Sequence, residues 1–373
     1  MKIRKGTAFV AIVLALTLSA VAFGAGQRRN QQQQQQQRGQ EAGQQPQSIG
    51  PQATSKDELD GFVALQNEQN PATKVTMADA FVSKFPNSDF VGYAHTLKML
   101  ALIQTGKAKE SALAGEQALD ATVKFGEKMF AKAEADAKLS DKDRDNERKK
   151  NKNVTFLDKN SPQFEAFRTD MDQRILGMYQ QIIASYQQAN DAAKVMEWGE
   201  KAYGYKPDDL NTLMVLSNVM AERPSSNEEE KAKQMKRAEE IAKQAVSEYA
   251  TFVNSPAAAK LSAEQKSGLN SSLHYTLGLV YLHQKKFGDS EKEFLTAINL
   301  KANDPITYYR LGLAYLQDMK NDAALDAFAR SVFLKGVSEA SARDILKQLY
   351  VQKNKSEVGL EDFIKNAGQK IGQ

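Results

Sequence analysis

Two stretches of this chain are versions of one another at a fixed offset. Ser271 opens SSLHYTLGLVYLHQKKFGDSEKEFLTAINL, and 34 residues later Pro305 opens PITYYRLGLAYLQDMKNDAALDAFARSVFL. Leu277-Gly278 aligns with Leu311-Gly312, Tyr281 with Tyr315 and Phe294 with Phe328. A period of this length is the signature of stacked supersecondary units, because one unit cannot bury its apolar face alone and must lean on a neighbour. Within each copy the apolar residues recur at helical spacing, first around the Leu-Gly pair and again around the Phe. Each copy therefore predicts two short amphipathic helices joined by a turn.

These residues and their spacing resemble the tetratricopeptide repeat, a helix-turn-helix unit. Its pattern places a large residue at position 4, Leu-Gly at 7 and 8, Tyr at 11, Ala at 20, Phe at 24, Ala at 27 and Pro at 32. Here His274 and Tyr308 take position 4, Ser290 and Ala324 take position 20, and Ala297 and Ser331 take position 27. Neither copy has the Pro. The resemblance, which extends to exported bacterial members of the family, implies an all-α fold of antiparallel helix pairs stacked as a right-handed α-solenoid.

The same frame runs upstream. A unit from Leu176 carries Tyr179, Ile182 and Tyr186, with Asn190-Asp191 at the turn and Ala202 and Pro207 later. It departs from the pattern twice, with Ile183 at position 8 and Gly199, after Trp198, at position 24. A unit from Leu210 carries Leu213, Leu216, Ser217 and Met220; its second helix is displaced by ERPSSNEEE and resumes at Ala238, Ala242 and Ala245. The array is expected over 161–337. Residues 55–137 are helical by period, with one or two degenerate repeats; a helix opens at Pro71 and ends before Pro86, two amphipathic segments meet at Gly106, and AGEQAL (114–119) parallels WGEKAY (198–203). Residues 138–160 mix charges of both signs and read as a solvated linker or helix extension. Residues 338–373 read as capping helices, with Ser338 as an N-cap.

The first 26 residues have a basic start, an apolar run from Ala8 to Phe23 and small residues in the A-x-A manner at Ala20-Val21-Ala22 and Ala22-Phe23-Gly24. That is the pattern of a secretory signal peptide. Left uncleaved, it is long enough to anchor the chain in a membrane through its N-terminus. Either outcome places the rest outside the cytoplasm, periplasmic or secreted in the first case and on the inner membrane in the second. Residues 27–54 are rich in Gln, Gly and Pro, offer almost nothing apolar to bury and are expected to be disordered. The six basic residues and one acid of the first 54 carry the basic excess; 44 basic and 45 acidic side chains remain. That balance gives no support for nucleic-acid binding.

Catalytic chemistry has little to work with. The chain has no cysteine and three histidines, His95, His274 and His283. A three-histidine metal site would have to bring His95 to the C-terminal repeats. No nucleophile elbow, zinc-protease, P-loop or dinucleotide motif occurs. Neither a catalytic residue, a metal nor a cofactor is expected.

What remains is surface. In the family resembled, the first helices of successive repeats line a concave groove that holds peptides or partner helices. The groove positions here are Met214 and Asn218, with Ala221 and Glu222 beyond them, then Tyr275, Leu279, Leu282 and His283, then Tyr309, Leu313, Leu316 and Gln317. Chaperone-binding members clamp a C-terminal carboxylate with Lys at position 5 and Asn at 9; this chain has Asn218 but Met214, Tyr275 and Tyr309 at position 5. The expectation is an envelope scaffold that binds a protein or peptide partner. Two alternatives stay open: an accessory factor of an outer-membrane assembly or transport complex, and a small-molecule or glycan-binding protein using the aromatic groove residues. The groove residues could also be covered by the chain's own C-terminal helices or by a second subunit.

Overall fold

The computed structural model describes residues 49–151 and 154–372. The signal-peptide-like leader and the glutamine-rich residues through 48 lie outside the described residues. Among the described residues fifteen α-helices follow one another: α1 Lys56–Asn67, α2 Pro71–Lys84, α3 Val91–Gln104, α4 Ala108–Ala137, α5 Asp141–Lys150, α6 Pro162–Gln188, α7 Ala192–Tyr205, α8 Leu210–Glu222, α9 Glu228–Phe252, α10 Ala263–His283, α11 Phe287–Leu300, α12 Pro305–Gln317, α13 Asn321–Leu334, α14 Glu339–Asn354 and α15 Leu360–Gly368. No strand occurs among them. Consecutive helices pack as pairs, α3 with α4, α6 with α7, α8 with α9, α10 with α11 and α12 with α13, and each pair leans on the next. The result is an α-solenoid of the tetratricopeptide kind, closed at its C-terminal end by α14 and α15 against α13.

The starts of these helices are written locally. Asp191 and Asp209 accept from the backbone N–H of Lys194 (3.1 Å) and Thr212 (2.9 Å), satisfying donors that the first turn leaves unpaired. Ser262 and Gln265 form a reciprocal capping box. Ser338 does occupy the N-cap position of α14 but makes no cap hydrogen bond. Its hydroxyl lies instead 3.2 Å from that of Ser331. The turn from first to second helix carries a left-handed residue in four pairs: Gly106 (φ 71), Asn190 (φ 54), Lys285 (φ 60) and Met319 (φ 58). The α8–α9 pair lacks one. There the Gln234 amide donates to the Met220 (2.8 Å) and Arg223 (2.9 Å) carbonyls and so closes the longer turn.

Within a pair, a glycine on one helix receives a large side chain from the other. A Cβ on Gly278 would sit 2.8 Å from Phe294 Cδ1, and one on Gly312 would sit 2.7 Å from Phe328 Cε1. Both phenylalanines are fully buried. Second helices carry glycine notches too, and these receive a side chain from the first helix of the next pair. Gly115 faces Ile182 Cγ1 (2.8 Å) and Met99 Sδ (2.9 Å), and Gly199 faces Leu216 Cδ1 (2.9 Å). Gly199, where the repeat pattern has Phe, thus makes room for Leu216 of the following pair. Recurring hydrogen bonds tie the pairs in one frame. Ser290 Oγ donates to the Gly278 carbonyl (2.8 Å), and Ser111 Oγ, in the equivalent place on α4, donates to that of Met99 (3.3 Å).

Successive pairs are also linked along one edge. Lys286 reaches back to Glu239 (3.0 Å), Lys320 to Glu291 (2.7 Å) and Lys353 to Asp322 (2.7 Å). The first two have equivalent places in the repeat frame, and each lysine also lies near the ring of its own repeat's Tyr281 or Tyr315. Elsewhere α4 and α6 run past the repeat and pack on each other through Phe125, Met129, Phe164, Phe167 and Met171, joined by Leu157 and Ile49. The helix α5, at the tip of this extension, buries none of its side chains.

Two glycines with opposite surroundings test this packing. Gly177, inside α6, has nothing within 4 Å of a Cβ. Gly177→Ala is expected to stabilise the fold by about 0.5–1 kcal/mol in urea unfolding, through lower unfolded-state entropy and better helix propensity. Gly115→Val should instead destabilise by roughly 1–3 kcal/mol, because Ile182 and Met99 leave no room. Equal effects at the two sites would contradict the close approach at Gly115.

Candidate functional site

The first helices α8, α10 and α12 lie side by side, α8 against α10 and α10 against α12. This is the surface on which the expected groove residues fall. The structure divides them. On the central helix α10, Leu279 is 0% exposed, Leu282 6% and Tyr275 9%. They face inward, because both neighbouring helices and α11 close over them. Met214, Asn218, His283, Tyr309, Leu313 and Leu316 are half-buried, and Gln317 is exposed. The accessible apolar strip is therefore narrower than the sequence pattern implies and runs mainly along α12. It continues toward Ile345, Leu349 and Tyr350 of α14, which join the same C-terminal cluster as Tyr309, Leu313 and Leu316.

The strip stands on the packing already described. Tyr275 rests on Phe294 and Tyr309 on Phe328, each with ring centroids 5.9 Å apart. These are the same phenylalanines that fill the glycine notches, so stacking and surface share one set of rings. Asn218 does not stand free to hold a ligand: its amide donates to Thr276 Oγ1 at 3.3 Å.

A polar cluster interrupts the apolar surface. Glu222, the last residue of α8, accepts a hydrogen bond from the Tyr275 hydroxyl of α10. Its other oxygen accepts from Arg310 Nη2 of α12 at 3.0 Å. One carboxylate thus pins three helices whose contributing residues are 53 and 88 positions away in the chain. The Arg310 and Glu222 side chains are 24% and 25% exposed, so the pair is reachable from solvent. Arg310 Nε has no hydrogen-bond partner. Burial, reinforced by the Glu222 charge, holds the Tyr275 phenol protonated well above its ordinary range. Beside the cluster, burial and then the Arg310 charge lower the pKa of His283, against a hydrogen bond to the Ala221 backbone and the Glu222 charge; Lys231 acts in the same direction as Arg310.

Sequence reasoning placed Glu222 on the groove but gave it no role, and it missed Arg310. A signal was present. Glu222 is the only charged residue of α8, and Arg310 is the only one of α12. A lone charge on a helix that is otherwise apolar asks for a partner.

The remaining histidines are dispersed. His274 sits 2.6 Å from Glu293 on α11, while His95 is buried on α3 with Nδ1 unpartnered. Among the described residues no cluster of His, Asp or Glu has the arrangement of a metal site, and no helix is long and apolar enough to cross a membrane. Trp198 packs between helices, 6.0 Å from the Tyr179 ring.

No family model matches the sequence, and no curated protein matches it. Among solved structures the chain is similar to BtubC of P. vanneervenii, with 12% identity over 81% of this chain and 94% of that one and a TM-score of 0.38. It is also similar to a thermophilic TPR protein of Thermus thermophilus, with 16% identity over 50% and 95% of the two chains and a TM-score of 0.34. A third is the TPR2AB domain of yeast Sti1 in complex with an HSP90 peptide, with 12% identity over 85% and 96% and a TM-score of 0.24. What the surface can do is therefore read from its own residues.

Two desolvated imidazoles set a pH dependence. His95 and His283 both have folded-state pKa values below the ordinary histidine value, chiefly through burial. Below about pH 6.5 the unfolded chain therefore binds more protons than the folded one, and stability falls as the pH falls. Unfolding midpoints measured from pH 7.5 to 5 should decline, and His283→Gln should flatten the decline. An unchanged slope in His283→Gln would show that this imidazole is not held neutral.

Proposed function

We propose that this chain is a non-enzymatic, exported scaffold that binds a protein partner along the inner face of its helix pairs. The observation that carries the reading is the half-buried strip Tyr309, Leu313 and Leu316 on α12, which stays partly open to solvent on a rigidly packed support. Aromatic and aliphatic side chains held on a fixed backbone bind with little loss of conformational freedom, which suits them to anchor a partner segment. Export is supported by the leader pattern of the first 26 residues. A periplasmic or secreted location follows from a cleaved leader, and attachment to the inner membrane from an uncleaved one.

Two measurements test this. Capture from cell-envelope extracts should recover partners with the native chain and lose them with Tyr309→Ala/Leu313→Ala, whereas Leu295→Ala, on the exposed face of α11, should keep them. Retention of the same partners by both variants would remove the inner face from the account. Fractionation with N-terminal sequencing of the full chain should find it outside the cytoplasm; a cytoplasmic chain with an intact leader would remove the export reading.

A further inference from the structure

Arg310 is the single Lys or Arg on α8, on α12 and on α10 beyond Lys266. A guanidinium has five donors in a planar fork and binds carboxylates strongly wherever water is partly excluded. Beside it the Tyr275 hydroxyl points at the same spot, since both groups bond one carboxylate. Arg310 and Tyr275 together are thus a carboxylate-binding pair, and the carboxylate they hold belongs to the chain itself. Glu222 sits at the C-terminal end of α8, where the helix dipole disfavours a negative charge. Its place there is maintained by the two donors that reach it from α10 and α12.

We propose that Glu222 is a specificity-determining residue of the inner face. By occupying Arg310 and Tyr275 it makes this part of the surface neutral, so the surface refuses acidic and carboxylate-terminated segments and takes uncharged apolar ones. This rests on the inner face being the binding surface. The one-quarter exposure of both charged side chains is what leaves the site open to an outside anion once Glu222 is neutralised. Neutralising Arg310 has the reciprocal effect and leaves a carboxylate that attracts a basic segment.

Fluorescence anisotropy with the full chain tests this using two labelled peptides, one ending in two aspartates with a free C-terminus and one ending in two lysines with an amidated C-terminus. The native chain should bind neither measurably. Glu222→Gln should bind the acidic peptide at least tenfold more tightly than the native chain, and Glu222→Gln/Arg310→Gln should lose that gain. Arg310→Gln should gain the basic peptide instead, so either single variant decides if the other does not fold. Native-like circular dichroism with no gain in whichever variants fold would overturn the proposal, as would equal binding of the acidic peptide by the native chain. The outcome is separable from the scaffold reading: the peptide gains require only the charge cluster, whereas envelope capture reports on Tyr309 and Leu313.

Discussion

The contact between a helix glycine and an aromatic ring of the paired helix is the constraint on which the rest of this structure depends. At Gly278 and Gly312 the ring lies where a side chain would begin, so the two helices of each pair approach as closely as backbone and ring permit. That approach fixes the angle of the pair, and the angle decides how one pair meets the next. It also places Tyr275 and Tyr309 on the outer side of the same rings. The surface that carries Tyr309 is therefore a consequence of the packing and not an independent decoration of it. The lysine–carboxylate pairs along one edge act later and more weakly. They are partly exposed, and such pairs contribute about 0–1 kcal/mol each, so they adjust the register of stacking without creating it.

The C-terminal repeats were legible because their letters coincide with the structural roles. Gly278 and Phe294 look like the pattern and behave like it. The earlier pairs were harder to read because their close approaches fall at other positions and between other helices. Gly115 of α4 and Gly199 of α7 make notches that Ile182 of α6 and Leu216 of α8, from the next pair, fill. A pattern of residue types records where bulk usually sits, whereas packing requires only that bulk meet space. The hydrogen bond from Ser111 to Met99, echoing that from Ser290 to Gly278, shows the α3–α4 pair to share the frame of the later ones. No single position in that stretch spelled it out.

The candidate site was legible in its helices and not in its details. Spacing identifies which side of α10 points toward the neighbouring first helices. It does not reveal whether that side is open, because closure depends on which helices pack over it. Leu279 and Leu282 are buried for this reason, while Tyr309 and Leu313, one repeat further on, remain partly accessible. The Glu222–Arg310 pair was equally hidden, since 88 residues and two stacking steps separate its members. What the surface offers is accordingly a short apolar strip beside a charge pair that neutralises itself.

The close approach inside the helix pair is most directly tested by a double-mutant cycle in urea unfolding with Gly278→Ala and Phe294→Leu. Gly278→Ala should be destabilising in the native background, where the added methyl meets the ring, and much less so once the ring is gone. The coupling should then be about 1 kcal/mol or more, well beyond the few tenths seen for independent sites. Additivity of the two substitutions within about 0.3–0.5 kcal/mol would contradict it, because the ring and the glycine would then not share the space on which the stack depends.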